Sequence, residues 1–446
     1  MKLQRSLGTL ALVFILFFCT SGGPFTIETL VVAVGPGLAL LVLVLVPLLW
    51  SLPETLIIGE LASMLPEEGG YYKWVRRAFG PFWAFQNAWL TWMYSLVDMA
   101  LYPVLFNQYL AYFVPGLGVG ARWAVSLAVI WTATAVNLRG ARPVGRVSIA
   151  AGMFVILAFM ALAIAAVPQA THVPWVPFAK AGQGTLGAVG VGFSLAIWNY
   201  SGWDNGSTVQ GEVRDASRTY PRALAFGLPL VMISYLAPLV AALAASDWTT
   251  WHDGGWADIA VSSAGAAGRP IAAWITIAGL VSAVAMFNAL LLAYSRVPLA
   301  MADDGLLPRP LAKTDERGTP VNAVLVSAAF YSVFSLLSLQ GLVVADVLLY
   351  ALALFLEFGA LVVLRRREPE LRGSFRIPVN TLGVIILAMI PMLVLLFVVY
   401  LELHDGEFGL PAVLGSLIAA GLGPLAYLLA KRALSPDGKS NRIGQD

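Results

Sequence analysis

Two short polar stretches interrupt sequence that is otherwise apolar, and their residue types point to ion recognition. The first is Thr20-Ser21-Gly22-Gly23-Pro24, and the second is Asn199-Tyr200-Ser201-Gly202-Trp203-Asp204-Asn205. Backbone groups freed inside hydrocarbon cost several kcal/mol each unless protein, water or a ligand satisfies them. At the first stretch, the amides at Ser21, Gly22 and Gly23 stand at the start of a half-helix, whose partial positive charge suits a carboxylate. The glycines let a ligand approach the backbone closely. At the second, the carbonyls of Trp198, Asn199, Tyr200 and Ser201, with Gly202 beside them, close a half-helix and suit an ammonium group. Together the two breaks would hold an α-amino acid by both charged ends.

Carboxyl side chains inside apolar segments are costly and mark candidate sites. Asp204 lies within the second break and is placed to pair a substrate amine or take up a proton; the alternative is an N-cap of the following half-helix. Asp98 lies deep in an apolar run with Tyr94 one turn before it, a pair suited to a distal amine or to a structural hydrogen bond. Glu28 follows the first break and either couples protons or braces the unwound segment. Glu54 follows Pro53 and either joins the coupling or satisfies backbone freed by the proline. Glu60, Glu212 and Glu357 fall toward the ends of their segments, where gating or pairing with loop arginines is expected. Trp198 by itself fits an ordinary packing or interface position.

These residues sit in a chain of 446 residues that is 59% hydrophobic and 12% charged, against about 25% charged for a soluble domain. Apolar runs of roughly 20 residues with short polar connections read as membrane-spanning helices. Twelve spans fit between about residues 6 and 431. With the N-terminus placed in the cytoplasm, all but Arg122, Lys180 and Arg269 of the 27 lysines and arginines fall on the inner side, as the positive-inside rule requires. Both termini are then cytoplasmic. Lys2, Arg5 and the apolar run from Leu7 to Cys19 resemble a secretory signal, but no A-x-A-like site follows, so an uncleaved first span is expected. The basic-aromatic segment from Pro66 to Phe79 reads as a short amphipathic helix at the cytoplasmic face, not a nucleic-acid site.

The two breaks fall in the first and sixth spans, five spans apart. Matched interruptions in two halves point to a substrate site between inverted repeats, and an odd offset turns the second unit upside down. A single chain domain over residues 1–446 is expected, with repeats over about 6–167 and 186–364 and additional helices over about 380–431. Cys19 is the only cysteine, so no intrachain disulfide or Cys-rich metal site is possible. No phosphate loop or H-E-x-x-H is present, which excludes ATP drive in this chain and zinc hydrolysis, and the chain is not read as an enzyme.

These features resemble the amino acid–polyamine–organocation superfamily of permeases over about residues 6–320. The stretch from Ser51 to Trp74, with Glu60-Leu61, Pro66 and Gly69-Gly70, is similar to the superfamily signature. Ala78 to Trp83, Asp98 to Phe106, Trp198 to Asp204, Gly211-Glu212-Val213 and Arg218 to Arg222 resemble the polyamine-uptake branch. The eighth span departs from that branch: Phe287 to Leu290 and Tyr294 to Pro298 read more like general amino acid permeases. In the fifth span, where some relatives carry a coupling lysine, Gly152 stands instead, which argues against lysine-based coupling. The resemblance implies an all-α integral membrane fold of twelve helices, with a five-plus-five inverted repeat, broken first and sixth helices and two further helices. It also implies alternating access around a midplane site, with Trp198 as a lid.

The expected function is a secondary transporter of amino acids or polyamines, driven by a proton gradient without cofactor or metal, in a plasma or bacterial inner membrane. An amine exchanger and a non-transporting solute sensor are the alternatives. The expected partners are the amine solute and the lipid bilayer.

Overall fold

Glycine, proline and polar clusters set where the helices stop in the computed structural model, which describes residues 4–182, 185–335, 343–405 and 409–434. Helix α1 (Thr9–Thr20) ends at the first polar stretch. There the Ser21 and Gly22 amides both bond the Phe17 carbonyl, and Gly22, Gly23 and Thr26 take positive φ. Helix α2 (Ile27–Val34) resumes the apolar run. Helix α3 (Pro36–Val46) passes through a π turn at Pro47–Ser51 into α4 (Leu52–Met64). Pro47 and Pro53 remove two amides from this ladder, and one-turn π widenings of this kind gather at functional sites.

The short α5 (Gly70–Phe79) precedes α6 (Pro81–Leu110), α7 (Val119–Asn137) and α8 (Ala141–Ala166). Helix α5 is amphipathic as expected, yet its Tyr71, Tyr72 and Trp74 are buried in protein, against α6 and α15 (Val343–Arg367). Helix α9 (Thr185–Tyr200) ends at the second polar stretch, where Gly202 has φ +107° and the chain continues as a 3₁₀ run over Asn205–Glu212. Helices α10 (Ala216–Ala245), α11 (Trp256–Ser263), α12 (Gly268–Tyr294), α13 (Arg296–Asp303) and α14 (Val321–Phe334) precede α15. Helices α16 (Thr381–Asp405) and α17 (Gly409–Leu434) follow it. No strand forms among the described residues; one isolated bridge joins Leu7 to Val213.

Among the described residues, eight helical segments are long and apolar enough to cross a membrane. The expected spans outside that set include those carrying the site. The first and sixth are split by their breaks. Helix α6 has 30 residues but carries Gln86, Asn87, Thr91, Ser95 and Asp98 on its buried side. Helix α14 stops at Phe334, before residues that lie outside the description, as do Lys2, Lys439 and Arg442 of the charge pattern. The most apolar stretch of α12 is 78% buried and that of α17 only 11%. Helix α12 is therefore central, whereas α17 lies at the edge with Leu417, Ile418 and Leu425 exposed, as a lipid-facing helix would be.

The two breaks meet. A Cβ on Gly202 would lie 2.5 Å from the Cys19 carbonyl oxygen, so only glycine permits this approach at that φ. At the lower turn of the same pair, the Ser6 and Leu7 amides bond the Glu212 carbonyl and the Arg214 amide bonds that of Leu7. Gly152 of α8 faces the Phe14 ring of α1 with no room for a larger side chain. At this position the sequence favours helix packing over an ionisable group.

Candidate functional site

A cavity of about 50 Å³ lies between the two breaks, walled by α1, α6, α9, α12 and α15. At roughly 10–15 Å³ for each ordered water, it is room for a few waters. Two carboxyls line it, Asp98 of α6 and Asp346 of α15. Asp98 accepts hydrogen bonds from both of its flanking phenols, Tyr102 at 2.5 Å and Tyr294 at 3.2 Å. Tyr94, one turn before Asp98, donates instead to Asn205 in the second break at 3.2 Å. It thereby ties α6 to the broken segment. Asp346 is buried, and its Oδ1 has no hydrogen-bond partner. Trp198, half-buried, completes one wall. No lysine, arginine or histidine lines the cavity among the described residues.

Behind this wall lies a second polar cluster centred on Tyr350, one helical turn after Asp346. Its hydroxyl stands 2.6 Å from Glu54 Oε1 and 2.8 Å from Asp204 Oδ1, and it accepts the Gly202 amide at 2.9 Å. Glu54 also accepts the Trp203 amide at 3.1 Å. Glu54 thus satisfies backbone freed at the sixth-span break, not backbone freed by its own proline. Asp204 does not line the cavity. Its carboxyl reaches the cavity wall through Tyr350.

The backbone groups expected to bind a zwitterion are turned inward to protein partners. The Gly23 amide bonds the Ser21 hydroxyl at 3.1 Å, and the Ser21 and Gly22 amides share Phe17. Gly22 and Gly23 are absent from the cavity wall, whereas Ser21 contributes to it. Among the second-break carbonyls, that of Asn199 accepts Tyr235 at 2.8 Å and that of Tyr200 accepts Ser51 at 2.9 Å. Ser201 and Gly202 remain on the wall, and the Asn199 side chain accepts Thr26 at 3.0 Å across the two breaks.

Glu28 lies apart from both clusters. It is fully buried and accepts the Gly254 amide at 3.0 Å, holding the connection before α11. The unwound first break is braced by Trp256, whose indole donates to the Pro24 carbonyl at 2.8 Å. These contacts tie the first break to the segment around the start of α11.

A separate set of ion pairs joins helix ends. Arg296, fully buried, makes two hydrogen bonds to Glu212 Oε1 at 2.9 and 2.7 Å, with Glu68 at 3.7 Å. Glu68 in turn accepts the Gly211 amide at 2.9 Å. Lys73 and Arg76 of α5 both hold Asp304, at 2.8 and 2.9 Å. Arg365 grips Glu60 with two nitrogens, and Glu60 also accepts the Ile377 amide. Glu60 and Glu212 therefore pair with arginines as expected, though with buried arginines at helix ends. Arg365 is a structural partner in addition to a member of the basic run that anchors the helix end. Glu357 departs from the expectation, since it accepts from Asn87 at 3.2 Å and has no arginine. The exposed pair of Arg77 and Glu368 at 2.6 Å holds that carboxyl below its usual range, yet such surface pairs contribute little.

Tyr350, Asp346, Tyr102 and Tyr294 are the members that the sequence reading missed. Asp346 and Tyr350 carried a usable signal, an acidic residue inside an apolar span with a tyrosine four positions on, on the same helix face.

Known proteins place the whole chain. The profile of the family described as amino acid permease matches residues 7–419. A probable polyamine transporter of Arabidopsis thaliana is 39% identical over 403 residues, covering 89% of this chain and 80% of the relative. A polyamine transporter of Oryza sativa subsp. japonica is 37% identical over 394 residues, covering 87% and 72%. A methylthioribose transporter of Bacillus subtilis (strain 168) is 27% identical over 403 residues, covering 84% and 85%. Helices long and apolar enough to cross a membrane, a polar cavity between two broken helices, and these likenesses agree. The chain is a multi-pass membrane transporter, not an enzyme, and it belongs to the amino acid permease family.

Proposed function

We propose that this protein is a proton-coupled secondary carrier that moves polyamines and related cationic amines by alternating access. The observation that carries the amine reading is the charge of the cavity: Asp98 and Asp346 line it with no basic side chain among the described residues. A carboxylate-bearing solute would meet like charge there, whereas an ammonium group would find its counter-ions and aromatic faces for cation–π contact. The relatives named as polyamine transporters support the same reading, and cationic amino acids remain within its reach through the eighth-span departure.

Hydrogen counting supports proton coupling. A tyrosine hydroxyl has one hydrogen to donate and two lone pairs. At Tyr350 one lone pair takes the Gly202 amide. Its contacts with Glu54 and Asp204 are both hydrogen bonds only if Tyr350 donates to one carboxyl and the other, protonated, donates to Tyr350. The closed cluster therefore holds one transferable proton next to the substrate wall. Because Gly202 and Trp203 of the sixth-span break bind this cluster directly, loss of that proton would loosen the break. No cofactor or metal enters this mechanism.

In the full reading the chain forms twelve spans, with inverted repeats over about 6–167 and 186–364 and helices over about 380–431 added. The positive-inside rule puts both termini and the ion-paired end in the cytoplasm, beneath a plasma or bacterial inner membrane. The test is uptake by the reconstituted protein of labelled putrescine, arginine, leucine and glutamate, with and without an inward proton gradient. Putrescine uptake stimulated by the gradient is expected, with arginine behind it and glutamate excluded. Glutamate uptake equal to that of putrescine would contradict the amine reading, and uptake indifferent to the gradient would contradict coupling.

A further inference from the structure

Asp98 and Asp346 face one cavity but are in different states of satisfaction. Both oxygens of Asp98 accept phenolic hydrogens. Asp346 has only 6% of its surface exposed, its Oδ1 has no partner, and no basic side chain among the described residues reaches the cavity. A carboxylate buried without a partner is among the costliest arrangements a protein can hold, and a membrane interior makes it costlier. The partner that the described residues do not give Asp346 Oδ1 is one that a solute can bring. The Ser21, Gly22 and Gly23 amides expected to bind a substrate carboxylate are meanwhile used internally, those of Ser21 and Gly22 by Phe17 and that of Gly23 by the Ser21 hydroxyl.

We infer that Asp346 is the second cation acceptor of the cavity, selecting solutes that carry two separated ammonium groups and no carboxylate. This rests on the amine-carrier reading above and narrows it. One ammonium pairs with Asp98 and the other with Asp346, while the methylenes between them lie on the aromatic walls formed by Tyr94, Tyr294 and Trp198. A monoamine leaves one carboxylate unpaired, and an amino acid adds a negative charge beside two carboxyls with no basic side chain among the described residues to meet it. Selectivity of this kind, in which the wrong solute strands a buried polar group, is steeper than selectivity by shape alone.

The experiment uses the purified full chain and three solutes sharing a four-carbon chain: 1,4-diaminobutane, n-butylamine and 4-aminobutanoate. Affinity is read by isothermal titration. The wild type is expected to bind the diamine at least about tenfold more tightly than butylamine, with aminobutanoate weaker still. Asp346→Asn should collapse the preference, so that the diamine and butylamine bind about equally well. Asp346→Glu, which keeps the charge but extends it by one methylene, should retain the diamine preference and move the best chain length toward 1,3-diaminopropane. An Asp346→Asn protein that still prefers the diamine as strongly as wild type would overturn the inference. An unshifted length optimum in Asp346→Glu would do the same, even if the asparagine variant failed to fold. Absence of binding of all three solutes to the wild type would instead refute the amine-carrier reading on which the inference rests.

Discussion

Replacing Tyr350 by phenylalanine is expected to lower proton-driven amine uptake about 100-fold and to flatten its dependence on pH between about pH 5 and 8. The hydroxyl serves three partners at once: the Gly202 amide, Glu54 and Asp204. Removing it leaves a buried amide without an acceptor, at a cost of about 1–3 kcal/mol. It also leaves two carboxyls with no donor between them. A loss near 2.7 kcal/mol in the transport barrier corresponds to that hundredfold. The ring stays, and so does its edge contact with Tyr94, 5.4 Å between centroids. Helix packing should therefore survive, and the protein should reach the membrane at ordinary yield. Combining Tyr350→Phe with Glu54→Gln should cost little more than either change alone, because both remove the same shared proton. Additive losses, or a pH profile that keeps its wild-type shape in Tyr350→Phe, would show that the cluster is scaffold only.

The second large effect is expected at the ion-paired end. Arg296→Ala removes the only cation within reach of Glu212 and Glu68 that the described residues show. Breaking a buried pair from one side typically costs about 3–5 kcal/mol. Under the proposed alternating access that cost would fall on the conformation closed at this end, since the pair joins α13 to the 3₁₀ run of the second break. A shift of about 3 kcal/mol changes the closed-to-open ratio roughly a hundredfold. The chain carries its own reporter. Cys19 is the sole cysteine, is buried, and lines the cavity. A membrane-impermeant thiol reagent applied from the arginine-rich side should label Cys19 slowly in wild type. In Arg296→Ala labelling should be at least about tenfold faster, and an added diamine should slow it. Equal labelling rates in the two proteins would mean that this ion pair does not gate the cavity.

The sequence displays the two helix breaks openly because glycine, proline and polar residues are conspicuous in apolar surroundings. That is why Gly202, Ser21 and Asp98 could be singled out, and the structure brings the two breaks into contact at Gly202 and Cys19. What the sequence does not display is which backbone groups remain free once the chain folds. The amides after Ser21 look available on paper but are consumed by Phe17 and by the Ser21 hydroxyl. The role of Glu54 is hidden for a similar reason: its partner, the Trp203 amide, is 149 positions away. Tyr350 stands out in the sequence only as the tyrosine one turn after Asp346, and its importance arises from the Gly202 amide, Glu54 and Asp204 converging on one hydroxyl. Asp346 is legible by type, an acidic residue inside an apolar span, as is Glu357 on the same helix. Glu357 turns out to bond Asn87, away from the cavity.

The central claim is that movement of a diamine is tied to movement of a proton held between Glu54 and Asp204. It is tested most directly in proteoliposomes that contain a luminal pH dye and no imposed gradient. Labelled putrescine is added outside while the two fluxes are recorded together. The account predicts that the lumen acidifies in step with putrescine entry, and that Glu54→Gln abolishes the acidification. Putrescine entry at the wild-type rate with no change in luminal pH would contradict it.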